Sequence, residues 1–401
     1  MVKSARARRT QRDVAATAAA ALPEDLVLWE IFYRLPAKEI LRCRAVCRSW
    51  RRLTCDAEFL LAHHRRQPSL TLVLSKSPTS GKAPATLDAF DLRQSPAVRR
   101  AILGFISSNE CQKYYIHASC DGLLLLSRCY RLYYICNPAT RQWCALPDLS
   151  NVAALYHHLP SDEYRVLCQK QDPNGPAGSV VYYVLTVGSS LEGQRCIGHP
   201  VPSPSLKKKL SWVSSAQLNY HNPPVLLHGC LHWYSGSYFD NQCNVVVFDT
   251  VDESFRCIQP HIAGYAATAH LGQMDGTLCI RHLDRGTMIV QVWVLQDYEM
   301  EVWSLKCQIQ LPVLEMKKYV SDKEDISWET VSDNGDMLLS GLYPLLLFHC
   351  DSKGKLVDKF QKDFYTPSAL WLSFKESLVR HVFFERKDRK RVKLPGFFRG
   401  L

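Results

Sequence analysis

Leu22–Leu53 reads LPEDLVLWEIFYRLPAKEILRCRAVCRSWRRL, and the whole chain is organised around this stretch. Leu28, Ile31, Phe32 and Leu35 recur at i, i+3, i+4, i+7, the spacing of one helical face. Pro23 suits the first helical turn, where a missing N–H costs nothing. Glu24 and Asp25 behind it favour the positive end of the helix dipole. Pro36 closes the segment, because the residue before a proline is pushed out of the α region. A second helical run follows, with Ile40, Leu41, Cys43, Val46, Cys47 and Trp50 as its apolar set and arginines between them. Two or three short helices in about thirty residues bury too little surface to be stable unless they dock on something.

The order of these residues resembles the F-box: a Leu-Pro start, an acidic pair, a central Leu-Pro, then Val-Cys-Arg-Ser-Trp-Arg. LPAKEILRCRAVCRSWRRL is similar to the plant form of that motif, a match at many spaced positions rather than a lone short pattern. The resemblance implies an adaptor whose helices hold a Skp-type linker of a cullin ubiquitin ligase while the rest of the chain selects a target. By motif position it places Leu22, Pro23, Leu26, Leu35, Pro36 and Leu41 at or near the linker contact. Ile31, Val46 and Trp50 are assigned to the helical core. Trp29 and Phe32 stand where the family usually carries an aliphatic side chain.

A chain of 401 residues, 47% hydrophobic and 22% charged, is globular and long enough for two or three domains. No run approaches 18 uninterrupted apolar residues, so no membrane-spanning helix is expected. The formal charge of +11 raises nucleic acid as a partner. Much of the excess sits at the ends, however, in Lys3 to Arg12 and in RKDRKRVK (Arg386 to Lys393). Such short runs read as solvated tails or import signals, and no RNA-recognition or zinc-finger pattern accompanies them. The 16 cysteines are scattered, without a C-x-x-C pair, several of them inside apolar runs. Free thiols in a reducing compartment explain that usage, which points to cytoplasm or nucleus. Residues 1–20 are expected to form a flexible basic, alanine-rich leader, with a transit peptide as the competing reading.

Residues 21–66 read as the helical domain, which ends in a further helix from Asp56 to Arg66 stopped by Pro68. SLTLVL (Ser69–Leu74) and ATLDAFDL then alternate with a period of two, the strand signal. Ser95, Pro96 and Gly104 mark out a short helix over AVRRAIL, as N-cap, N1 and stop. From Ser119 a unit repeats. A tight turn leads into a short apolar strand, and an aromatic-rich strand ending in an acidic or Asn-Pro turn follows. The copies begin at Asp121-Gly122, His228-Gly229, Asp275-Gly276 and Asn334-Gly335, and EYRVLCQK with VVYYVLTVG forms a divergent one. A single small sheet leaves an apolar face bare, so the copies must stack, and closing them into a ring protects their edges. The fold class is therefore α+β multidomain, with small all-α helices followed over 67–401 by an all-β propeller of about six blades. SLTLVL and the strands around Leu370–Phe384 would make a blade closed by both chain ends. YYICNPATRQWCALP and VVVFDTVDESFRCI resemble the F-box-associated domain of plant proteins, a resemblance that carries a fold and a role but no binding residues.

No phosphate-binding loop, dinucleotide fingerprint or nucleophile elbow is present. Cys43, Cys47, Cys55, His63 and His64 are close in sequence, and so are His228, Cys230, His232 and Cys243. Core packing accounts for the first group and a blade's inner face for the second, so no metal and no cofactor is expected. Trp233, Tyr234, Tyr238 and Phe239 surround a Gly-Ser turn and are the candidate target-binding loop residues, with Tyr319, Trp328 and Tyr343 near other turns. The reading is a non-catalytic adaptor that binds a Skp-type linker of a cullin complex and an unknown target protein, with no membrane or nucleic-acid partner. A propeller lectin or enzyme with an incidental helical leader is the alternative.

Overall fold

The structure is a computed structural model. It describes residues 23–75, 85–94, 97–105, 114–172, 174, 180–189, 193–198, 223–236, 243–260, 269–284, 286–319, 326–331, 335–341, 346–361, 369–385 and 396–398. The chain divides into two units. One comprises Met1–Gln67 with Glu376–Arg380, and the other Pro68–Lys375 with His381–Leu401.

The first unit is helical. Helix α1 (Glu24–Leu26) runs on into a π segment (Val27–Ile31) and a 3-10 turn (Phe32–Arg34). Pro36 forces Leu35 to an extended ψ of 148° and caps α2 (Ala37–Cys43). The expected second helix is in fact two. The chain turns at Arg44–Val46, Cys47 adopts an extended φ of −154°, and α3 (Arg48–Leu53) starts behind it. Asp56 caps α4 (Ala57–Arg66), its Oδ1 accepting from Phe59 N at 2.9 Å. Phe32, Ala37, Ile40, Phe59 and Leu60 close the core of this unit. Trp50 meets Phe32 edge-on at 4.9 Å, and His63 Nε2 bonds to Leu35 O at 2.8 Å.

Residues 376–380, read from the sequence as part of the propeller, belong to this helical unit instead. Glu376 O bonds to His64 Nδ1 at 2.9 Å, Arg380 donates to Cys55 Sγ at 3.2 Å, and Leu378 is fully buried.

The second unit is a six-bladed β-propeller of four-stranded antiparallel sheets. The first blade holds β1 (Leu70–Ser75), β2 (Ala85–Asp91) and β3 (Val98–Phe105). β4 (Tyr114–Cys120), β5 (Leu123–Arg128), β6 (Leu132–Asn137) and β7 (Gln142–Ala145) make the second. The third is β8 (Val152–His158), β9 (Glu163–Gln171), β10 (Val180–Thr186) and β11 (Gln194–Gly198). The fourth is β12 (Val225–Leu227), β13 (Cys230–Gly236), β14 (Cys243–Asp249) and β15 (Phe255–Ile258). The fifth is β16 (Ala269–Met274), β17 (Thr277–Asp284), β18 (Ile289–Asp297) and β19 (Val302–Gln310). A short helix α5 (Val313–Met316) leads to the sixth, β20 (Ile326–Val331), β21 (Met337–Gly341), β22 (Leu346–Cys350) and β23 (Leu356–Gln361). β24 (Ala369–Phe374) then pairs with β1 in the order β24-β1-β2-β3, so both ends of the ring share the first blade, as the alternation of SLTLVL anticipates.

Blades stack on both faces, which explains why their strands read as unbroken apolar runs. Leu124 and Leu126 point into the core between the first two blades, Leu123 and Leu125 into the next, and all four are fully buried. The repeated turns open the second strand of four blades. Asp121 and Gly122 have φ of 48° and 82°, and Asp275 and Gly276 have 50° and 76°. Two consecutive left-handed residues fit a tight hairpin, and glycine takes the second position without steric cost. At the far end of the third strand an acidic or amide side chain caps the turn. Asp249 Oδ1 accepts from Val251 N and Asp252 N, and Asp297 Oδ1 from Glu299 N and Met300 N. Asn137 and Asp351 do the same in their blades.

The helix expected behind Ser95 is absent from the described part of that segment, where Val98–Phe105 is strand β3, paired along β2. Local cap chemistry at Ser95-Pro96, which lie outside the described residues, yields there to the sheet's need for a fourth strand. Past β24, two further apolar clamps hold the ring. Phe384 packs between the second and third blades, and Phe397 and Phe398 between the first and second, with Gly104 N donating to Phe397 O at 3.1 Å.

Two buried histidines make the propeller sensitive to acid. Burial pushes His117, bonded to Ser127 Oγ at 2.8 Å, down to about 4. Burial likewise takes His232 to about 4, although Val225 O works against it. The unfolded chain protonates these rings near 6.5. Their contribution is thus complete above about pH 6.5 and is lost as the pH falls towards 4, at about 1.4 kcal/mol per pH unit for each ring. The urea midpoint should drop over this window, and H117Q/H232Q should flatten the drop. An unchanged slope in the double variant would contradict this assignment.

Candidate functional site: an uncovered apolar set on the helical unit

A unit this small hides few side chains, and the choice of which it hides is informative. While Phe32, Ile40 and Phe59 are sealed, Leu26 is 49% exposed, Trp29 36%, Ile31 44%, Val46 64% and Leu61 46%. Scattered single apolar residues on a surface need no explanation, but five large ones on a unit of this size do. Trp29 is held in place by edge contacts to Tyr33 at 5.7 Å and Phe59 at 6.1 Å. The surroundings are charged. Glu24 pairs with Arg52 at 2.6 Å and accepts from Ser49, and these contacts hold its carboxyl below the ordinary range against a partial opposing effect of desolvation. Glu30 pairs with Arg34 at 2.6 Å.

Of the residues assigned to the linker contact, Pro23, Leu26 and Pro36 are exposed, Leu35 and Leu41 are half-buried, and Leu22 lies outside the described residues. Two of the three core assignments need correction. Ile31 and Val46 are exposed, and only Trp50 packs inward, on Phe32. The π segment and the break at Arg44–Val46 rotate both side chains away from the positions a continuous helix would give them. Trp29, Ile31 and Val46 therefore join the exposed set that the sequence had confined to leucines and prolines.

The candidate target loop also changes. Trp233 and Tyr234 are strand residues of β13, 6% and 4% exposed, pointing into the cores on either side of the fourth blade. Tyr238 and Phe239 lie outside the described residues, as does Tyr343, and the side chain of Trp328 is not described. Tyr319 is half-buried beneath Lys359, whose Nζ sits 3.6 Å from the ring centroid. The misreading has a physical cause. Adjacent residues on a strand buried on both faces carry the same composition as an aromatic loop.

His232 uses both ring nitrogens, on Val225 O at 3.1 Å and Tyr298 OH at 2.7 Å, and Cys230 faces Asp249. Among the described residues no group of three or more His, Cys, Asp or Glu is arranged to hold a metal ion, and the 14 cysteines whose side chains are described are free thiols. No helix among them is long and apolar enough to cross a membrane. A polar cluster clamps the third and fourth blades. Glu253, in a turn at φ 52°, accepts from Tyr156 OH at 3.0 Å, Arg165 Nη1 at 2.7 Å and Arg195 Nη2. Burial works to raise its pKa, but the three donors more than offset this and hold it below the ordinary carboxylate range.

A helical module with uncovered apolar side chains, joined to a six-bladed propeller, defines a modular interaction protein. Comparison with known families gives it a place. Residues 19–66 match the F-box-like model and residues 84–383 the F-box associated beta propeller domain. The chain belongs to the F-box proteins that carry an F-box-associated propeller, the domain pairing of a substrate-recognition adaptor. A putative F-box/kelch-repeat protein of Arabidopsis thaliana is 26% identical over 391 residues, covering 84% of this chain and 86% of the relative. An F-box protein of the same plant is 26% identical over 303 residues, covering 73% and 80%. Among solved structures, TolB from Acinetobacter baumannii aligns over 72% of this chain and 62% of that one, with a TM-score of 0.39 and 12% identity.

Proposed function

We propose that this chain is the target-selecting subunit of a cullin-type ubiquitin ligase. The helical unit docks a Skp-type linker, and the propeller presents a target protein to the ubiquitin-charged enzyme. The observation that carries the reading is the split within α1 and its continuation, where Phe32 is sealed while Leu26, Trp29 and Ile31 stay uncovered. Apolar side chains on a short helix, aimed outward, suit insertion into a groove on another protein. The chemistry would then belong to other subunits. This chain would contribute by raising the effective concentration of the target near the reactive thioester. Such an adaptor works in the cytoplasm or the nucleus. Affinity purification of the full chain from plant tissue should recover a Skp-type linker together with a cullin. Recovery of target proteins without any linker would contradict the proposal.

A further inference from the structure

Among the described residues of the propeller, the buried carboxylates Asp88 and Asp91 each have a cation. Asp88, 2% exposed, meets Arg99 at 2.6 Å, and Asp91 meets Arg93 at 2.9 Å. Glu253 has Arg165 at 2.7 Å and Arg195 besides. Arg281 is the converse case, a buried cation that forms no ion pair with a carboxylate among the described residues. It sits on β17, the second strand of the fifth blade, and is 5% exposed. Its Nη2 donates to a neutral acceptor, Gln273 O, at 3.0 Å, and its Nε has no partner. Asp275, which shares the surroundings of the Cys279 thiol with Arg281, is paired with Lys306. Lys306 in fact adds a second cation to the neighbourhood, since it and Arg281 both act on the thiols of Cys279 and Cys307.

The backbone is shaped to accept this guanidinium. It lies across the first strand of the blade at Gly272, where a Cβ would stand 2.9 Å from Arg281 Cζ and closer still to Nη1. Only glycine leaves that space. Cys279 lies opposite Gly272 and His270 opposite Arg281 in the strand register, so the cation sits at the inner part of the blade, on the face turned to the sixth. A guanidinium stripped of water and lacking a counter-charge is costly, whereas one that meets an oxyanion is among the strongest polar pairings available.

We propose that Arg281, in the cradle left by Gly272, binds a small oxyanion of the phosphate or sulfate type, or a compact carboxylate. The near-complete burial of Arg281 limits the ligand to a compact ion, and the planar fork of donors favours an oxyanion over chloride. Bound there, the anion neutralises the inner part of the fifth blade and couples its stability to the anion concentration.

The test is thermal unfolding of the full chain in inorganic phosphate against chloride at matched ionic strength. The expected result is a saturable rise of a few degrees in phosphate. In R281M the rise should vanish, and the anion-free variant should melt no lower than the parent, because a methionine replaces an unpaired charge. G272A, whose Cβ displaces the guanidinium, should also lose the response. Absence of a phosphate-specific rise in the parent would overturn the proposal. So would an equal rise in R281M. An R281M protein that melts well below the parent without anion would overturn it too, since the guanidinium would then be neutralised by the chain itself.

Discussion

Replacing Leu26 and Ile31 together by glutamate will weaken binding of a Skp-type linker by at least two orders of magnitude and leave the melting of the chain almost unchanged. The two halves of this expectation rest on one observation, that both side chains are close to half exposed in the free protein. Covering a large aliphatic side chain is worth about 1.5–3 kcal/mol. Both are already about half covered, so losing the pair forfeits about 1.5–3 kcal/mol, and desolvating two carboxylates in their place adds at least as much, which together is about two to four decades in affinity. Substitutions at exposed positions away from caps and cores shift stability by only about 0.5 kcal/mol. Isothermal titration of the linker alongside a urea melt checks both quantities. A variant that binds normally would place the contact elsewhere on the unit, and one that unfolds would show that Ile31 belongs to the core after all.

The second large effect is expected far from the helices. Phe397 is fully buried after the ring has closed, with its ring 5.8 Å from Tyr114, 5.6 Å from Tyr134 and 4.8 Å from Phe398. Its carbonyl takes Gly104 N–H, and Phe398 forms a parallel bridge to the same glycine at the outer strand of the first blade. F397A should therefore cost about 3–5 kcal/mol, as large-to-small changes of buried aromatics do. It should also uncover the edge of β3, which makes cleavage near residues 98–105 the companion readout. A urea midpoint within error of the parent would show that the C-terminal clamp adds nothing to the ring.

How much of this was legible in the sequence depended on how local the signal is. Asp121-Gly122 and Asp275-Gly276 announce their turns because the φ values they adopt are ones glycine takes freely. The run Leu123–Leu126 announces a strand buried on both faces, and Pro36 and Asp56 mark helix boundaries where the structure has them. Signals that depend on distant neighbours were not legible. AVRRAIL carries a helix's start and stop chemistry, yet Val98–Phe105 is a strand because β2 offers it a partner. Trp233 and Tyr234 read as a loop because nothing local reveals that both faces of β13 are covered. Glu376–Arg380 and Phe397–Phe398 find their places through contacts some 300 residues away in sequence, between His64 and Glu376 and between Gly104 and Phe397.

The candidate site shows the same division. The motif order identified the helical unit correctly, and Pro23 and Leu26, two of the residues it assigns to the linker contact, are exposed. Assigning Ile31 and Val46 to the core assumed an ideal helix through both positions. The π segment over Val27–Ile31 and the turn before Cys47 change the angle at which each side chain leaves the backbone. In a unit with so short a core, a rotation of this kind decides whether a residue is buried or left exposed.

The most direct test of the adaptor account is a titration of the purified full chain with a purified Skp-type linker. The account predicts a one-to-one complex with a dissociation constant of about 1 µM or tighter, a strength within the range of standard-sized interfaces. It also predicts a negative heat-capacity change from the apolar surface covered. No association at concentrations of about 100 µM, with the helical unit folded, would contradict it.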